Sequence, residues 1–389
     1  MLPPLSLYIH VPYCVQKCPY CDFHSTVQTN IPEAAYLATV KRELSFWRQK
    51  LREDERPLDS IFFGGGTPSL LQSTTIAQLL QQVKNLWPLH NQCEITLESN
   101  PESCTSSKIE QWLTHGVNRI SLGIQAFNQE RLSTLGRPHN IEEARQAIRL
   151  SRQGGFSNIN LDLIFATPGQ TIEGWQAELA EAMEWQPQHL SCYGLTIEEG
   201  TPFARLRRQG EFSPINEEDE LAIFSTTGQT LATGGWNRYE ISNFTQPGKA
   251  CRHNLNYWQS ADYIGVGPAA HGRLTQTNPE TAKPSRYRTV NHTAGYMEKQ
   301  AENGSSLLEE SLCSTQEAGA ECLIMGLRLE EGMNRETYRR LSGQDLVVQK
   351  AQEIKTCQGA GLITVTAERI TLSKKAVPIA DSVIAQLLT

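Results

Sequence analysis

Three cysteines lie close together near the start of the chain, in the sequence Cys14-Val-Gln-Lys-Cys18-Pro-Tyr-Cys21. Their spacing allows three thiols to converge on one metal centre from a single loop. The other seven cysteines are scattered singly, as small buried apolar side chains commonly are. Three explanations compete: a zinc site completed by His24, a coincidence of buried cysteines, and an iron–sulfur cluster. We favour the cluster, because a three-thiol loop is unusual for closed structural zinc. Three thiolate ligands on a cluster of four irons would leave one iron open.

A run of glycines, Gly64-Gly65-Gly66, precedes Thr67 and Pro68 at the end of a predicted strand. Exposed backbone amides in such a turn can approach the charged end of a ligand closely. A tight turn between a strand and a helix explains the same pattern without a ligand. The position of the glycines one strand–helix unit after the cysteines favours the ligand.

Four polar residues lie at or just beyond the following predicted strands, namely Glu98, Gln125, Arg137 and Asp162. A polar side chain in an apolar strand needs a polar cavity or a partner, because burying it unpaired costs about 1–3 kcal/mol. A structural hydrogen bond explains any one of the four. Together they favour a ligand that binds at the ends of several strands.

Short apolar runs alternate with longer amphipathic segments from residue 5 to about 235. The predicted strands are 5–11, 60–63, 94–98, 119–124, 158–164 and 189–195. The predicted helices lie near 33–53, 73–86, 106–115, 142–154, 171–185 and 217–234. Six such units predict a parallel sheet but fall short of the eight that close a full barrel. We therefore predict an α/β fold, a partial open (β/α)6 TIM-like barrel over residues 1–235, with the cysteine loop at its carboxyl edge.

The sequence changes in character after residue 235. Residues 236–294 are predicted to be an extension and linker, in which the polar stretch 274–294 is a loop. Residues 295–389 are predicted to be a mostly helical domain, which a small β-hairpin over 362–372 makes winged-helix-like. Such a module is explained either by DNA binding or by a structural role as a lid or docking domain. The net charge of −7 and the lack of a dense basic cluster favour the lid.

The composition is that of an ordinary globular protein, with 39% hydrophobic and 20% charged residues. No window of about 20 apolar residues predicts a membrane-spanning helix. The first residues lack the basic and apolar regions of a secretory signal, so we expect a cytoplasmic protein. The acidic balance also predicts that nucleic acid is not a partner.

The spacing C-x3-C-x2-C, with the aromatic Tyr20 before the last cysteine, resembles the radical S-adenosylmethionine superfamily. The resemblance implies that Cys14, Cys18 and Cys21 bind a [4Fe–4S] cluster. It further implies that the open iron chelates the amino and carboxylate groups of S-adenosylmethionine. One electron from the cluster then cleaves the sulfonium C–S bond to give a 5′-deoxyadenosyl radical, while the protein holds the sulfonium in place and excludes water.

The whole chain resembles the branch that contains oxygen-independent coproporphyrinogen III oxidases (HemN) and heme chaperones (HemW). The matching stretches are Ser6-Leu-Tyr-Ile-His-Val-Pro, Gly-Gly-Gly-Thr-Pro-Ser, Asn118-Arg-Ile-Ser-Leu-Gly-Ile-Gln, Asn-Leu-Asp-Leu-Ile and Ile264-Gly-Val-Gly. The pattern of this branch implies that S-adenosylmethionine contacts Tyr8, Tyr20, Gly65, Gly66, Thr67, Glu98, Gln125, Arg137, Asp162, Thr196 and His271. The resemblance also implies a helical C-terminal domain.

Two departures separate the oxidases from the chaperones in this resemblance. The oxidases carry a fourth cysteine two residues after the third, where this chain has Phe23, and a long segment before the loop, where 13 residues precede Cys14. The motif H-N-x-x-Y-W, which here runs from His253 to Trp258, is similar to one that marks the chaperones and is linked there to heme. It makes His253 the expected heme contact, with Cys251 as an alternative, although sequence alone also allows a structural histidine.

The leading hypothesis is a chaperone that carries heme to an unidentified acceptor protein, with the cluster and S-adenosylmethionine regulating or assisting the transfer. The alternatives are a radical enzyme that decarboxylates coproporphyrinogen III and a radical enzyme with an unknown substrate. The covalent attachment motif C-x-x-C-H is absent from the sequence. Peripheral membrane contact is compatible with acceptors among respiratory proteins, but no basic amphipathic helix requires it.

Overall fold

The computed structural model describes residues 2–276 and 283–389, and its main feature is a 12-stranded sheet. The strands are β1 Leu5–Val11, β2 Tyr13–Cys14, β3 Thr26–Val27, β4 Leu58–Gly65, β5 Leu89–Ser99, β6 Arg119–Gln125, β7 Ile159–Phe165, β8 His189–Gly194, β9 Asn237–Arg238, β10 Asn243–Thr245, β11 Asp262–Val266, β12 His271–Thr275, β13 Pro284–Thr289, β14 Leu307–Leu312, β15 Met333–Asn334, β16 Ile363–Val365 and β17 Arg369–Leu372. The helices are α1 Glu33–Lys50, α2 Ser73–Leu86, α3 Ser106–His115, α4 Gln129–Thr134, α5 Ile141–Gln153, α6 Ile172–Glu184, α7 Pro202–Gln209, α8 Glu217–Thr233, α9 Arg252–Trp258, α10 Thr293–Asn303, α11 Thr315–Gly326, α12 Arg335–Ser342, α13 Leu346–Gln349, α14 Ala351–Gly359 and α15 Ala380–Leu388. Short 3₁₀ helices lie at Pro68–Leu70, Pro101–Ser103 and Val377–Ile379.

Six parallel strands form the centre of the large sheet, in the order β1-β4-β5-β6-β7-β8. Helices connect successive strands of this run, as the alternating pattern predicts. The sheet stays open, with β14 at one edge and β9 at the other. The prediction of a partial, open barrel of six strand–helix units is therefore confirmed.

The predicted strands and helices of this region differ from the structure mainly at their ends. Strand β5 begins at Leu89, before its predicted start at residue 94. The prediction missed its first residues because they are polar and largely exposed, and so lack the apolar alternation that marks a strand. Helices α4 and α7 were not predicted, since 6 and 8 residues are too few to display a helical period.

Residues 236–294 contribute several strands to the same sheet. Strand β11 pairs in parallel with β1, from Leu5 opposite Asp262 to Ile9 opposite Val266, and β12 and β13 follow in antiparallel fashion. The predicted loop over 274–294 is therefore wrong at both ends, and its residues 277–282 lie outside the described part of the chain. Strand β13 is polar in sequence, and packing against the barrel decides its structure.

The last 77 residues from Cys313 form a smaller unit with its own hydrophobic core. Its three strands pair in the order β15-β17-β16, and the predicted hairpin is confirmed as β16 and β17. Helices flank this small sheet, so the unit is winged-helix-like. Arg335 and Arg339 each form an ion pair with Asp345 over 2.8 Å. The choice between a lid and a DNA-binding surface stays a prediction.

Helix α1 fixes the strand that leads into the cysteine loop. Its buried face carries Tyr36, Val40, Leu44 and Trp47 at helical spacing. The Tyr36 hydroxyl donates to the carbonyl oxygen of His10 over 2.8 Å, and the ring of Trp47 stacks on that of Tyr287 with centroids 4.1 Å apart. Among the described residues, no helix is both long and apolar enough to cross a bilayer.

Glu43 on α1 gives the fold a pH dependence. Its buried carboxyl accepts hydrogen bonds from Gly267 N, the Tyr296 hydroxyl and Ser306, and burial raises its pKa to about 7. The folded state therefore binds this proton more tightly than the unfolded chain does. We expect the free energy of unfolding to fall by roughly 3 kcal/mol between pH 4.5 and 7 because of this group.

Glu43→Gln should remove that component, whereas the exposed Glu53→Gln should keep it. Urea unfolding of both variants and the parent at pH 5 and pH 8 measures the difference. An unchanged pH dependence in Glu43→Gln would contradict the assignment.

Candidate functional site

The cysteine loop leaves the carboxyl end of β1 and is closed at its base. Strand β2 pairs with β3, which brings Cys14 opposite Val27. Within the loop, Cys21 N donates to the carbonyl oxygen of Cys18 over 3.1 Å. The Cys18 thiol is buried, whereas Cys14 and Cys21 are half-buried. All three thiols line one cavity of about 360 Å³ at the mouth of the barrel.

A chain of hydrogen bonds links two of these thiols across the barrel mouth. Thr67 Oγ1 donates to Cys14 Sγ (3.6 Å), and Arg137 Nη1 donates to Cys18 Sγ (3.5 Å). Asn100 joins the two donors, because its Nδ2 donates to Thr67 Oγ1 (3.1 Å) and its Oδ1 accepts from Arg137 Nη2 (2.7 Å). The network places hydrogen-bond donors on sulfur, which is one of the ways in which proteins tune an iron–sulfur cluster.

The donor set suits a cluster better than a single ion. No three His, Cys, Asp or Glu side chains of the described residues surround one ion-sized point, and His24 does not complete such a group. A [4Fe–4S] cluster binds each thiolate to a different iron, so its ligands lie farther apart than those of zinc. Burial raises the pKa of the Cys14 and Cys21 thiols, and a positively charged metal centre bound there would favour their thiolate forms.

Most of the predicted S-adenosylmethionine contacts line the same cavity as the thiols. These residues are Tyr20, Gly65, Gly66, Thr67, Glu98, Gln125, Arg137, Asp162 and Thr196. They come from the loops and ends of several parallel strands, which meet at one edge of the sheet. The prediction that these particular side chains bind the ligand stays a prediction.

The glycine turn lies so close to the cysteine loop that a side chain would collide there. A Cβ on Gly66 would lie 2.6 Å from the carbonyl oxygen of Tyr13 and 3.0 Å from Cys14 Sγ. Gly65 has φ of +113°, which favours glycine. Gln125, at the end of β6, has φ of +67°, a strained conformation for a residue with a side chain and one that clusters at functional sites.

Two carboxyl groups face the floor of the cavity. Burial and the nearby charge of Asp162 raise the pKa of Glu98 to about 8, so Glu98 is mostly protonated at neutral pH. Its Oε2 accepts a hydrogen bond from Gly65 N over 3.2 Å. Burial also raises the pKa of Asp162, whose oxygens accept from Ser121 (2.9 Å) and Asn160 (2.8 Å). A cationic ligand beside these groups would favour their ionised forms.

Three predicted residues lie outside this cavity. Tyr8 and His271 line a neighbouring cleft of about 560 Å³ between the barrel edge and α11, and Gly65 and Glu98 border both spaces. His253, the expected heme contact, lies inside the barrel and is 2% exposed. Burial lowers its pKa to about 3, so the imidazole is neutral.

Asn100 is a site residue that the sequence reasoning missed. It follows Glu98 in the stretch Leu-Glu-Ser-Asn-Pro, where only the carboxylate attracted attention. Asn100 could have been found from its position just beyond a predicted strand. Glu98, Gln125 and Asp162 were identified as polar residues at or just beyond such strands.

Comparison with known proteins matches residues 8–182 to the radical SAM superfamily and residues 313–379 to the HemN C-terminal domain. The chain is 39% identical to the heme chaperone HemW of Haemophilus influenzae over 348 residues, which cover 88% of this chain and 87% of that protein. It is 40% identical to the heme chaperone HemW of Escherichia coli over 300 residues, 76% of each chain. The mitochondrial radical S-adenosyl methionine domain-containing protein 1 of Danio rerio is 31% identical over 98% of this chain and 86% of its own length.

The solved structure of coproporphyrinogen III oxidase HemN from Escherichia coli has a similar fold. It superposes with a TM-score of 0.83, covers 100% of this chain and 91% of its own, and shares 20% of residues. At that identity the likeness concerns the fold, namely an open barrel followed by a helical C-terminal unit.

Proposed function

The chain belongs to the family of the heme chaperone HemW, and on this premise we propose that it binds heme and hands it to an acceptor protein. The observation that carries the proposal is the 39% identity to a heme chaperone over 88% of this chain. We expect the protein to work in the cytoplasm, with the acceptor as its protein partner and with peripheral membrane contact where that acceptor is membrane-bound.

The radical SAM superfamily implies a [4Fe–4S] cluster and S-adenosylmethionine for this chain. When bound, the cluster would supply the electron that cleaves the sulfonium. We propose that Cys14, Cys18 and Cys21 hold it, with the donors Thr67 and Arg137 on two of the sulfurs.

The remaining cavity residues would hold S-adenosylmethionine. The glycine turn leaves room for close backbone approach, and Glu98 and Asp162 present oxygens to the cationic groups of the ligand. Tyr20 narrows the cavity from the cysteine loop. These side chains orient the ligand and exclude water from it.

The main alternative is decarboxylation of coproporphyrinogen III. In the oxidases of this branch a fourth cysteine stands where this chain has Phe23, which is 60% exposed and borders both the thiol cavity and the neighbouring cleft. An exposed phenyl ring offers apolar contact to a flat ligand but cannot donate a hydrogen atom or a proton as a thiol does. This difference supports a carrier over the oxidase.

Heme titration tests the proposed function. Hemin added to the purified, cluster-reconstituted protein without oxygen should give a saturable Soret difference spectrum with one heme per chain. Dialysis of the sample beside a protein-free hemin blank separates retained from loosely held heme. A spectrum that rises linearly without saturation would remove the proposal.

Asn100→Ala should weaken S-adenosylmethionine binding while the cluster stays. The substitution removes the acceptor of Arg137 Nη2 and the donor to Thr67 Oγ1. Loss of the hydrogen bond to the charged Arg137 costs about 1.5–3 kcal/mol. We expect roughly tenfold lower affinity by isothermal titration. Asn216→Ala, which removes the N-cap of α8 at a residue that does not line the cavity, is the matched control. Equal affinities of the two variants would contradict the role of Asn100.

A further inference from the structure

Two residues that carry side chains have a left-handed backbone at the mouth of the barrel, on neighbouring strands. Gln125 is the last residue of β6 and has φ of +67°, and Ala166 directly follows β7 and has φ of +62°. The two strands pair in parallel, with Gln125 opposite Leu163 after a shift in register. A positive φ in a residue other than glycine persists only where the surrounding structure enforces it. The contacts that hold these two strand ends therefore need an account.

The same strand ends form part of the wall of the thiol cavity. Gln125, Asp162 and Ile164 line this cavity. Asp162 and Ile164 lie four and two residues before the left-handed Ala166. Groups that contact a ligand must be held to within about 0.5 Å of their productive positions. Relaxation of either left-handed residue would therefore disturb the wall that faces the ligand.

One buried ion pair joins the two strand ends from the helices that follow them. Arg131 on α4 and Glu178 on α6 are 8% and 6% exposed, and Arg131 Nη1 donates to Glu178 Oε1. Helix α4 is the first helix after β6, and α6 is the first after β7. Neither residue is among those of the described chain that line the thiol cavity. The pair can affect that cavity only through the backbone that it holds.

Glu178 holds the end of the neighbouring strand rather than the end of its own. Its Oε2 accepts a hydrogen bond from Phe127 N over 2.7 Å. Phe127 lies two residues after Gln125, between β6 and α4. A carboxylate on α6 thus fixes the backbone that leaves β6.

Arg131 makes the reciprocal contacts at the end of β7. Its Nη2 donates to the carbonyl oxygen of Ile164 over 2.5 Å, and its Nε donates to Thr167 Oγ1 over 2.9 Å. These two partners lie on either side of Ala166. All three nitrogens of the guanidinium are therefore engaged, in a planar fork that a lysine ammonium does not reproduce.

Stability alone does not explain why this pair is charged. The cost of removing two charges from water is comparable to the attraction that they gain, so apolar replacement of a buried pair is often neutral for folding. Removal of one partner is strongly destabilising, because it leaves an uncompensated buried charge. What the pair has that two apolar side chains lack is directed hydrogen bonds to both strand ends.

We propose that Arg131 and Glu178 are positioning residues for S-adenosylmethionine. Their crossed contacts keep the ends of β6 and β7 in the left-handed backbone, and so keep Gln125 and Asp162 on the cavity wall. The inference rests on the proposed function, because it concerns the site of the ligand that the superfamily implies. Both residues act through the backbone of others.

A double variant separates positioning from stability. Arg131→Met leaves Glu178 buried without its cation, so it should lower both the melting temperature and the affinity for S-adenosylmethionine. Arg131→Met/Glu178→Leu leaves no unpaired charge and should recover part of the lost melting temperature. Its affinity should stay about tenfold below that of the parent, because the hydrogen bonds to both strand ends are still missing.

Isothermal titration with S-adenosylmethionine, on cluster-reconstituted proteins of equal iron content, measures these affinities. The matched control is Arg145→Met/Glu181→Leu, which removes a half-buried pair of 2.8 Å between α5 and the same helix α6. The control should bind S-adenosylmethionine as the parent does. Parent-like affinity in the Arg131 and Glu178 double variant would overturn the proposal.

Arg131→Lys tests the same contacts in a protein that keeps its charge pair. Lysine retains a cation for Glu178 but cannot also reach Ile164 and Thr167 as the fork does. We expect a melting temperature close to that of the parent and an affinity about threefold lower. An unchanged affinity would show that the contacts at the end of β7 do not position the ligand.

Hydrogen exchange observes the two strand ends directly. In Arg131→Met/Glu178→Leu, amides of segments 123–128 and 164–170 should exchange about tenfold faster than in the parent. Peptides of the C-terminal unit from residue 313 onward should exchange equally in both proteins and serve as the internal reference. Unchanged exchange in both segments would contradict the role of the pair.

Failure of this inference and failure of the proposed function give different results. If the reconstituted parent does not bind S-adenosylmethionine, the ligand itself is wrongly proposed. If the parent binds it and the double variant matches the parent in affinity and exchange, only the positioning role is wrong.

Discussion

Cys18→Ser loses the cluster. Serine keeps the size of the side chain but replaces a thiolate with a hydroxyl, and iron–sulfur clusters in proteins depend on thiolate ligands. We expect a severe loss because Cys18 is buried in the loop and Arg137 donates a hydrogen bond to its sulfur. Another side chain would have to displace both contacts to bind the cluster in place of Cys18. After anaerobic reconstitution we expect iron and sulfide at about a tenth of the parent level, with the visible absorbance of the cluster gone.

Cys104→Ser is the matched control for this experiment. Its thiol is half-buried and free, and it lies outside the triad, near Ser99. Iron, sulfide and the visible spectrum should match those of the parent. A Cys18→Ser protein that keeps a full cluster would contradict the ligand assignment, and equal loss in both variants would indicate general instability.

Gly66→Val should also remove the cluster, with all three thiols intact. The new Cβ would lie 2.6 Å from the carbonyl oxygen of Tyr13 and 3.0 Å from Cys14 Sγ, and backbone cannot yield as a flexible side chain does. Gly66 N donates to the carbonyl oxygen of Val11 (2.8 Å), and Thr67 N donates to that of Tyr13 (2.7 Å). Relieving the collision therefore pulls the cysteine loop away from the turn.

We expect several-fold lower cluster content in Gly66→Val and a destabilisation of about 1–3 kcal/mol, typical of overpacking. Gly359→Val is the control, because a Cβ at that exposed position of α14 meets nothing within 4 Å. Iron analysis and thermal melting of both variants measure the effect. A full cluster in Gly66→Val would show that the loop and the turn move independently.

Local features of the sequence predicted the centre of the site. Cys14, Cys18 and Cys21 lie in one loop, so their spacing carries the information without any fold. Glu98 and Asp162 lie on different strands, and they were found because the carboxyl ends of parallel strands meet at one edge. The open barrel followed from the same alternation of strands and helices.

Features that depend on distant packing could not be predicted in this way. Asn100 acquires its role by bonding Arg137, 37 positions away in the chain. The burial of His253 depends on the packing of α9 against β1 and β4. Its hydrogen-bond partner Ser60 lies on β4, 193 positions earlier in the sequence. The cleft exists because α11 lies beside β11 to β13, and a single sequence does not reveal how two units pack together.

The most direct test of the account is whether the reconstituted protein retains heme without turning over coproporphyrinogen III. One anaerobic sample receives S-adenosylmethionine, an electron donor and coproporphyrinogen III, and a parallel sample receives hemin. The account predicts one retained heme per chain and no protoporphyrinogen beyond the level of the Cys18→Ser protein. Catalytic formation of protoporphyrinogen over many turnovers, without saturable heme binding, would contradict it.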